Sequence, residues 1–118
     1  MPTMYGLSRC DPCKKARAWL DENGIDYRFV DYREQPIPAR DLLVYAGQLG
    51  WDKLVNRAST TWRGLGEAEK AAQSDEQWLL LLAAHPTLIR RPLLVQADGT
   101  VMAGFKPALY ADAFSDPQ

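Results

Sequence analysis

Two cysteines, Cys10 and Cys13, stand near the start of the chain with only Asp11 and Pro12 between them. A short apolar run at residues 4–7 precedes them, and a proline is typical of the first turn of a helix. A thiol at a helix N-terminus lies near unsatisfied N–H groups and the positive end of the helix dipole, which both favour the thiolate. The pattern therefore predicts a strand followed by a helix, with a reactive sulfur at Cys10.

Three other uses of the two cysteines compete with this interpretation. A tetrahedral zinc site needs about four ligands, and the single histidine, His85, is far away in the sequence. A structural disulfide with a two-residue spacer closes too small a loop to stabilise the fold much. Inert burial stays open, above all for Cys13, which shares a helix face with Ala16 and Leu20. Redox or nucleophilic chemistry is the favoured interpretation.

The composition predicts a single compact domain over residues 1–118. Its 47% hydrophobic residues suffice for one core, and a net charge of −1 gives no general attraction to nucleic acid or anionic membranes. The longest apolar run, residues 78–84, is too short to span a bilayer, and residues 2–5 do not resemble a secretion signal. We therefore expect a monomer in the reducing cytoplasm, where a C-x-x-C pair is more often catalytic or sensory than structural.

Hydrophobic periodicity and turn signals predict alternating strands and helices. The predicted strands cover residues 3–8, 25–32, 93–95 and 101–103, and the predicted helices cover residues 12–23, 38–49, 51–55, 66–72, 74–84 and 107–114. The helix over residues 38–49 is expected to carry the apolar residues Leu42, Leu43, Ala46 and Leu49. Residues 56–61 are expected to form a polar loop.

Two local signals sharpen the later part of the chain. Ser74 and Gln77 match a capping box, and Asp98-Gly99 favours a hairpin turn. The element order is then β-α-β, a helical block, a β-hairpin and a helix, which indicates an α/β fold with a mixed sheet flanked by helices. With C-x-x-C after the first strand, this is the layout of a thioredoxin-like fold with a helical insertion at about residues 38–88. Function must come from the site rather than the fold.

Three blocks of sequence carry a family resemblance. They are residues 10–20 with 24–27, residues 49–56 with 60–63, and residues 85–94. In this order they resemble the ArsC/Spx/YffB family, and the middle block is most similar to the YffB-like branch. The resemblance covers most of residues 4–114 and implies an ArsC-like thioredoxin fold. The family includes glutaredoxin-coupled arsenate reductases, Spx regulators that bind RNA polymerase, and YffB-like proteins proposed as glutathione-dependent thiol reductases.

The resemblance implies roles for individual residues. Cys10 matches the family nucleophile. Cys13 is shared with the Spx regulators, which use the pair as a disulfide switch, whereas arsenate reductases and many YffB-like proteins lack it. Arg91 matches the arginine that lines the active site, and its bond to Pro92 is expected to be cis beside the sulfurs.

The resemblance also implies basic residues at the substrate site. Arg57 stands one position before the loop arginine of relatives, and Arg63 is an alternative for that role. Lys106 falls near a third basic residue of the arsenate reductases. Lysine lacks the planar fork that an oxyanion site uses, which disfavours arsenate as the substrate. We expect Arg57, Lys106 and Pro92 to bind the substrate.

The favoured function is a cytosolic thiol–disulfide reductase in which Cys10 is the nucleophile, stabilised by the helix start and Arg91. Glutathione is expected as a co-substrate, with glutaredoxin as a candidate partner and no bound cofactor or metal. Cys13 is either the resolving cysteine or a bystander. Two alternatives stay open: an arsenate or other oxyanion reductase, and an Spx-like redox sensor that binds RNA polymerase.

Overall fold

The structure, a computed structural model, describes residues 1–115 of the chain. These residues group into two compact units. The sheet unit consists of Met1–Asp31 and the chain from Arg91 onward, and the helical unit consists of Tyr32–Arg90. Among the described residues, no helix has the length and apolar character needed to cross a membrane.

Four short strands and seven helices make up the regular structure of the described chain. The strands are β1 (Thr3–Gly6), β2 (Arg28–Asp31), β3 (Leu93–Val95) and β4 (Val101–Ala103). The helices are α1 (Asp11–Glu22), α2 (Ala39–Leu49), α3 (Trp51–Leu54), α4 (Thr60–Arg63), α5 (Glu67–Lys70), α6 (Asp75–Ala84) and α7 (Pro107–Ala113). A single 3-10 turn, Pro86–Leu88, follows α6.

The four strands form one mixed sheet in the order β2-β1-β3-β4. β1 and β2 are parallel, as expected for strands joined by the α1 crossover, and the β1–β3 and β3–β4 pairs are antiparallel. β3 and β4 form the hairpin expected at Asp98-Gly99, where Gly99 has a φ of 92°. β1 is therefore a central strand, and the chain that leaves its C-terminal end leads directly to the two cysteines.

Both strands that flank α1 are shorter than the sequence predicts. The Cys10 N–H donates to the Leu7 carbonyl at 3.2 Å, so the chain turns after Gly6 instead of extending to residue 8. At the other end of α1, the Ile25 N–H donates to the Leu20 carbonyl at 3.0 Å. Because this bond still belongs to the helix end, pairing of β2 begins only at Arg28.

The core of the sheet unit lies between the sheet and the helices α1 and α7. Its fully buried members are Met4, Ala16, Leu20, Leu94 and Tyr110. The Tyr110 ring meets three other aromatic rings: those of Trp19, Phe105 and Phe114, with centroids at 5.6, 4.8 and 6.3 Å. Edge-on contacts of this kind stabilise aromatic packing beyond the area they bury. α7 is therefore held to α1 by a compact aromatic cluster.

In the helical unit, α2 buries Leu42, Tyr45 and Ala46, whereas Leu43 is 40% exposed. Tyr45 and Ala46 share the buried face with Leu42 because they follow it by three and four residues, and Leu43 lies off that face.

Two capped helices follow in the helical unit. The predicted capping box of α6 is confirmed, since the Ser74 hydroxyl accepts from the Gln77 N–H at 3.1 Å and the Gln77 side chain accepts from the Ser74 N–H at 3.1 Å. The predicted loop over residues 56–61 is wrong at its end, where α4 begins. The Ser59 hydroxyl caps α4 by accepting from the Trp62 N–H at 3.2 Å.

Three tryptophans of the helical unit are stacked. The ring of Trp78, which is buried, lies 5.9 Å from that of Trp51 and 6.2 Å from that of Trp62, with interplanar angles of 15° and 17°. The Trp51 indole N–H donates to Asp75 at 2.8 Å. Residues from α3, α4 and α6 are thereby joined in one aromatic stack.

Candidate functional site

Cys10 is the N-cap residue of α1, with extended backbone angles and Pro12 in the first turn. Its carbonyl accepts the first helical hydrogen bond, from the Lys14 N–H at 3.0 Å. Cys10 is half-buried and is not in a disulfide. A sulfur at this place is accessible to a small molecule and lies at the positive end of a twelve-residue helix.

Cys13 has the opposite environment. Its side chain is fully buried, and a Cβ added to Gly6 would lie only 2.6 Å from its Sγ. Burial is the main cause that raises the pKa of Cys13 to about 12, and the hydrogen bond with Cys10 and the charge of that sulfur act in the same direction. A backbone hydrogen bond from Leu7 and the charge of Arg91 act against them. Cys13 is therefore a protonated thiol near neutral pH, held against the more accessible sulfur.

A polar brace holds the loop before Cys10. The Asp31 carboxylate, at the end of β2, accepts hydrogen bonds from the Ser8 N–H at 3.2 Å and from the Ser8 hydroxyl at 2.9 Å. Both Gly6 and Asp31 end their strands in register with each other. The position of the nucleophile loop is thus fixed by the neighbouring parallel strand.

The Arg91–Pro92 peptide bond is cis, as the family resemblance implied. Pro92 is fully buried, and its carbonyl accepts from the Gly104 N–H at 2.9 Å, which fixes this segment at the start of β3. Arg91 is half-buried, and its positive charge lowers the pKa of Cys13. The charge of Arg91 therefore reaches the buried sulfur of Cys13.

The remaining basic residues lie in different surroundings. Lys106 is the exposed N-cap residue of α7. Arg57 lies in the helical unit, where it pairs with Asp52 at 2.7 Å and its guanidinium lies 5.5 and 5.4 Å from the ring centroids of Trp62 and Trp78. Arg63 donates to a carbonyl of its own loop at 2.8 Å. Substrate binding by Arg57 and Lys106 stays a prediction.

Cys10 and Cys13 form a pair of unequal thiols, and the charge of Arg91 acts on the buried one. Such a site can attack an electrophilic sulfur with the accessible thiolate and can keep the buried thiol for a second step. Within residues 1–115, no three His, Cys, Asp or Glu side chains are grouped so that they could hold a metal ion.

Sequence reasoning missed two residues that shape this site. Gly6 has no side chain and so leaves space for the Cys13 sulfur. An isolated glycine in a strand is a sequence signal of such a close approach. Asp31 braces the nucleophile loop. Nothing local marks Asp31, because its partner Ser8 is 23 residues away in the chain.

Comparisons with known proteins agree with these observations. The model of the ArsC family matches residues 5–113. A protein of Haemophilus influenzae, described as uncharacterized, is 42% identical over 98% of this chain and 100% of its own length. A solved structure described as YFFB (PA3664) protein has 40% identity and a TM-score of 0.90, covering 98% of this chain and 100% of that one. An arsenate reductase (ArsC) related protein from Brucella melitensis has 41% identity and a TM-score of 0.74, covering 96% and 93% of the two chains.

These matches confirm two expectations from the sequence. The first is the α/β thioredoxin-like fold, since the solved YFFB structure superimposes over nearly the whole chain. The second is the resemblance to YffB-like proteins, which the same structure bears out. By its sequence, its fold and the match along residues 5–113, the chain belongs to the ArsC family.

Proposed function

We propose that this protein is a thiol–disulfide oxidoreductase in which the thiolate of Cys10 attacks a disulfide. The observation that supports the proposal best is the inequality of the two thiols: Cys10 is half-buried at a helix start, whereas Cys13 is buried with a pKa of about 12. Membership of a family that includes thiol-dependent reductases points to the same chemistry. The accessible sulfur is thus the nucleophile and the buried one is held in reserve.

The first step conserves atoms and electrons. The Cys10 thiolate forms a bond to one sulfur of the substrate disulfide, whose S–S bond breaks, and the other sulfur leaves as a thiolate. In the second step, a thiolate attacks Cys10 or the substrate sulfur and resolves the mixed disulfide. That second thiolate comes from Cys13, which gives an internal disulfide, or from a second small thiol, which leaves Cys13 as a bystander.

Glutathione is the proposed small thiol, and glutaredoxin is a candidate protein partner. A glutathione moiety carries carboxylates, and the guanidinium of Arg91 is a planar donor that binds carboxylates through two hydrogen bonds. The charge of Arg91 reaches the sulfur of Cys13, the partner of Cys10 in the motif. In this proposal Arg91 orients the glutathione moiety while Cys10 exchanges with its sulfur.

The test is mass spectrometry of the reduced protein after treatment with glutathione disulfide. Wild type is compared with Cys10→Ser and with Cys13→Ser as the matched single-sulfur variant. We expect Cys13→Ser to gain one glutathione on Cys10, and Cys10→Ser to gain far less because its thiol is buried. Equal labelling of both single-cysteine variants would refute the assignment of Cys10 as the nucleophile.

The wild type separates the two routes of the second step. Accumulation of an internal disulfide without glutathione indicates that Cys13 resolves, whereas a stable glutathione adduct indicates a second small thiol. The relative from Brucella melitensis, described as arsenate reductase related, makes oxyanion reduction a second candidate. Turnover of arsenate with glutaredoxin and glutathione would favour that candidate. Capture of RNA polymerase by the oxidised protein, and not by the reduced protein, would favour the Spx-like alternative.

A further inference from the structure

Tyr110 is fully buried at the centre of α7, yet its hydroxyl makes no hydrogen bond. In the part of the chain that the structure describes, it is the one buried side-chain oxygen or nitrogen atom in this condition. A buried hydroxyl without a partner lowers the stability of a fold, and a phenylalanine would fill the same space without that cost. Stability of the fold therefore does not explain why this position holds tyrosine.

The surroundings of Tyr110 are almost entirely apolar. Its ring packs against Trp19, Phe105 and Phe114. Apart from burial, the one influence that raises the pKa of Tyr110 is the charge that Cys13 carries when ionised. The Tyr110 side chain and the Cys13 side chain are both fully buried, and both belong to the sheet unit.

The geometry of α1 places Cys13 next to the core cluster that contains Tyr110. Cys13 and Ala16 lie on successive turns of α1, and both are fully buried on the same face of the helix. Ala16 belongs to the same core cluster as Tyr110. The Cys13 sulfur is thus placed between Gly6 on the strand side and a core that offers one unused hydroxyl.

The reaction creates a need for a donor at this place. When a thiolate reduces an internal disulfide, it attacks the accessible sulfur of Cys10, the Cys10–Cys13 bond breaks, and Cys13 leaves with the bonding electrons as a thiolate. That thiolate forms where water has no access, so it is a poor leaving group unless a hydrogen-bond donor stabilises it. Cys10, Arg91 and the backbone of Leu7 act on the pKa of Cys13, and Tyr110 supplies the one unused buried hydroxyl of the described residues.

We propose that the Tyr110 hydroxyl is the hydrogen-bond donor for the thiolate of Cys13, without a partner in the dithiol form and engaged when Cys13 ionises. The inference rests on the proposed function, and specifically on Cys13 as the resolving cysteine. The same donor assists the reverse step, in which Cys13 loses its proton and attacks the mixed disulfide on Cys10. Tyrosine keeps its own proton throughout, and the proton of the thiol exchanges with solvent.

The test compares two variants that each remove one buried hydroxyl. Tyr110→Phe removes the hydroxyl without a partner, and Tyr32→Phe removes one that donates to the Ile89 carbonyl at 3.0 Å within the helical unit. The measured quantities are the rate at which dithiothreitol reduces the Cys10–Cys13 disulfide, as a function of pH, and the midpoint of urea unfolding.

Because a hydrogen bond to a charged group changes an equilibrium about tenfold or more, we expect Tyr110→Phe to slow disulfide reduction by about that factor. Its unfolding midpoint should stay unchanged or rise. In Tyr32→Phe, we expect dithiothreitol to reduce the Cys10–Cys13 disulfide at the wild-type rate, and we expect the variant to unfold at a lower urea concentration. In a Cys10→Ser background, alkylation of Cys13 should require higher pH when Tyr110 is also replaced.

Three results would contradict the role of Tyr110 as a hydrogen-bond donor, and they can be told apart. Equal reduction rates in Tyr110→Phe and wild type would remove Tyr110 from the reaction and leave the reductase proposal intact. A slower rate together with a loss of stability like that of Tyr32→Phe would make the hydroxyl structural. A wild type that forms no internal disulfide would refute the role of Cys13, and with it that of Tyr110, whereas labelling of Cys10 by glutathione would still support the reductase.

Discussion

Gly6 faces the sulfur of Cys13 so closely that the strand has no room for a side chain. A Cβ at this position would lie 2.6 Å from the Sγ, and ordinary contacts begin at 3.4 Å. Gly6→Ala therefore requires the sulfur or the strand to move by about 0.8 Å. Cys13 is fully buried, so the sulfur has little free space into which it can move.

Two opposing effects determine how much Gly6→Ala changes the free energy of unfolding. Overpacking of a dense core costs about 1–3 kcal/mol. Replacing glycine by alanine within a strand gains about 0.5–1 kcal/mol, because the unfolded chain loses conformational freedom. We expect Gly6→Ala to lower the free energy of unfolding by about 1–2 kcal/mol. The measurement is urea unfolding followed by circular dichroism, extrapolated to water.

A double-mutant cycle tests the physical cause. Cys13→Ala removes the Sγ and leaves a Cβ at 3.4 Å from the added methyl group, which is an ordinary contact. Most of the cost of Gly6→Ala should therefore disappear in the Cys13→Ala background, where the one remaining tight contact is with the Phe29 ring at 3.3 Å. The expected coupling free energy is about 1–3 kcal/mol. A coupling below about 0.5 kcal/mol would refute the clash as the cause.

Gly47→Ala is the matched control for the loss of a glycine. Gly47 lies inside α2, and a Cβ added there would meet no atom within 4 Å. The substitution should raise the free energy of unfolding by about 0.5–1 kcal/mol, since alanine is the better helix former. The opposite signs at the two glycines would separate the local clash from the general effect of alanine.

Three further perturbations test the site and the helical unit. Arg91→Lys keeps the charge but loses the planar fork, so we expect the KM for glutathione disulfide to rise about tenfold at an unchanged unfolding midpoint, and unchanged kinetics would remove Arg91 from the site. Asp31→Ala removes the acceptor of two hydrogen bonds from Ser8, which should cost about 1 kcal/mol and slow alkylation of the nucleophile; a wild-type rate would show that the brace is dispensable. The hydrogen bond with His85 lowers the pKa of Glu69, so this carboxylate contributes stability above its ordinary pKa of 4.5 that is lost as the pH falls through the lower folded value. The difference in unfolding free energy between wild type and Glu69→Gln should therefore vanish in acid, and a difference independent of pH would contradict this linkage.

The sequence alone predicts most elements of the fold because their signals are local. The capping box at Ser74 and Gln77 and the hairpin turn at Asp98-Gly99 each depend on residues within a few positions of one another. The short helix α4 was missed because its signal is a single cap, Ser59, without hydrophobic periodicity. Strand ends were placed too far out because the hydrogen bonds that close α1 compete with the sheet for the same backbone groups.

Some features of the candidate site can likewise be predicted from the sequence, and others need the folded structure. The motif identifies Cys10 and Cys13, and the family resemblance identifies Arg91 and the cis bond to Pro92. The inequality of the two thiols needs the packed structure, because it arises from burial of one sulfur. The part played by Tyr110 could not be predicted, since 84 residues of chain, 23–106, separate the end of α1 at Glu22 from the start of α7 at Pro107.

The stacked tryptophans give the helical unit a spectroscopic signature of its own. Three of the four tryptophans, Trp51, Trp62 and Trp78, lie within about 6 Å of a neighbour at nearly parallel orientation, so their electronic transitions couple. Such coupling gives an exciton band in circular dichroism that disappears as soon as α3, α4 and α6 separate. Trp19 belongs to the sheet unit, where its ring lies 5.6 Å from that of Tyr110. In wild type the exciton band reports on the helical unit, and in a variant that keeps Trp19 as its one tryptophan the indole fluorescence reports on the sheet unit. The melting of each unit can thus be followed without an added label.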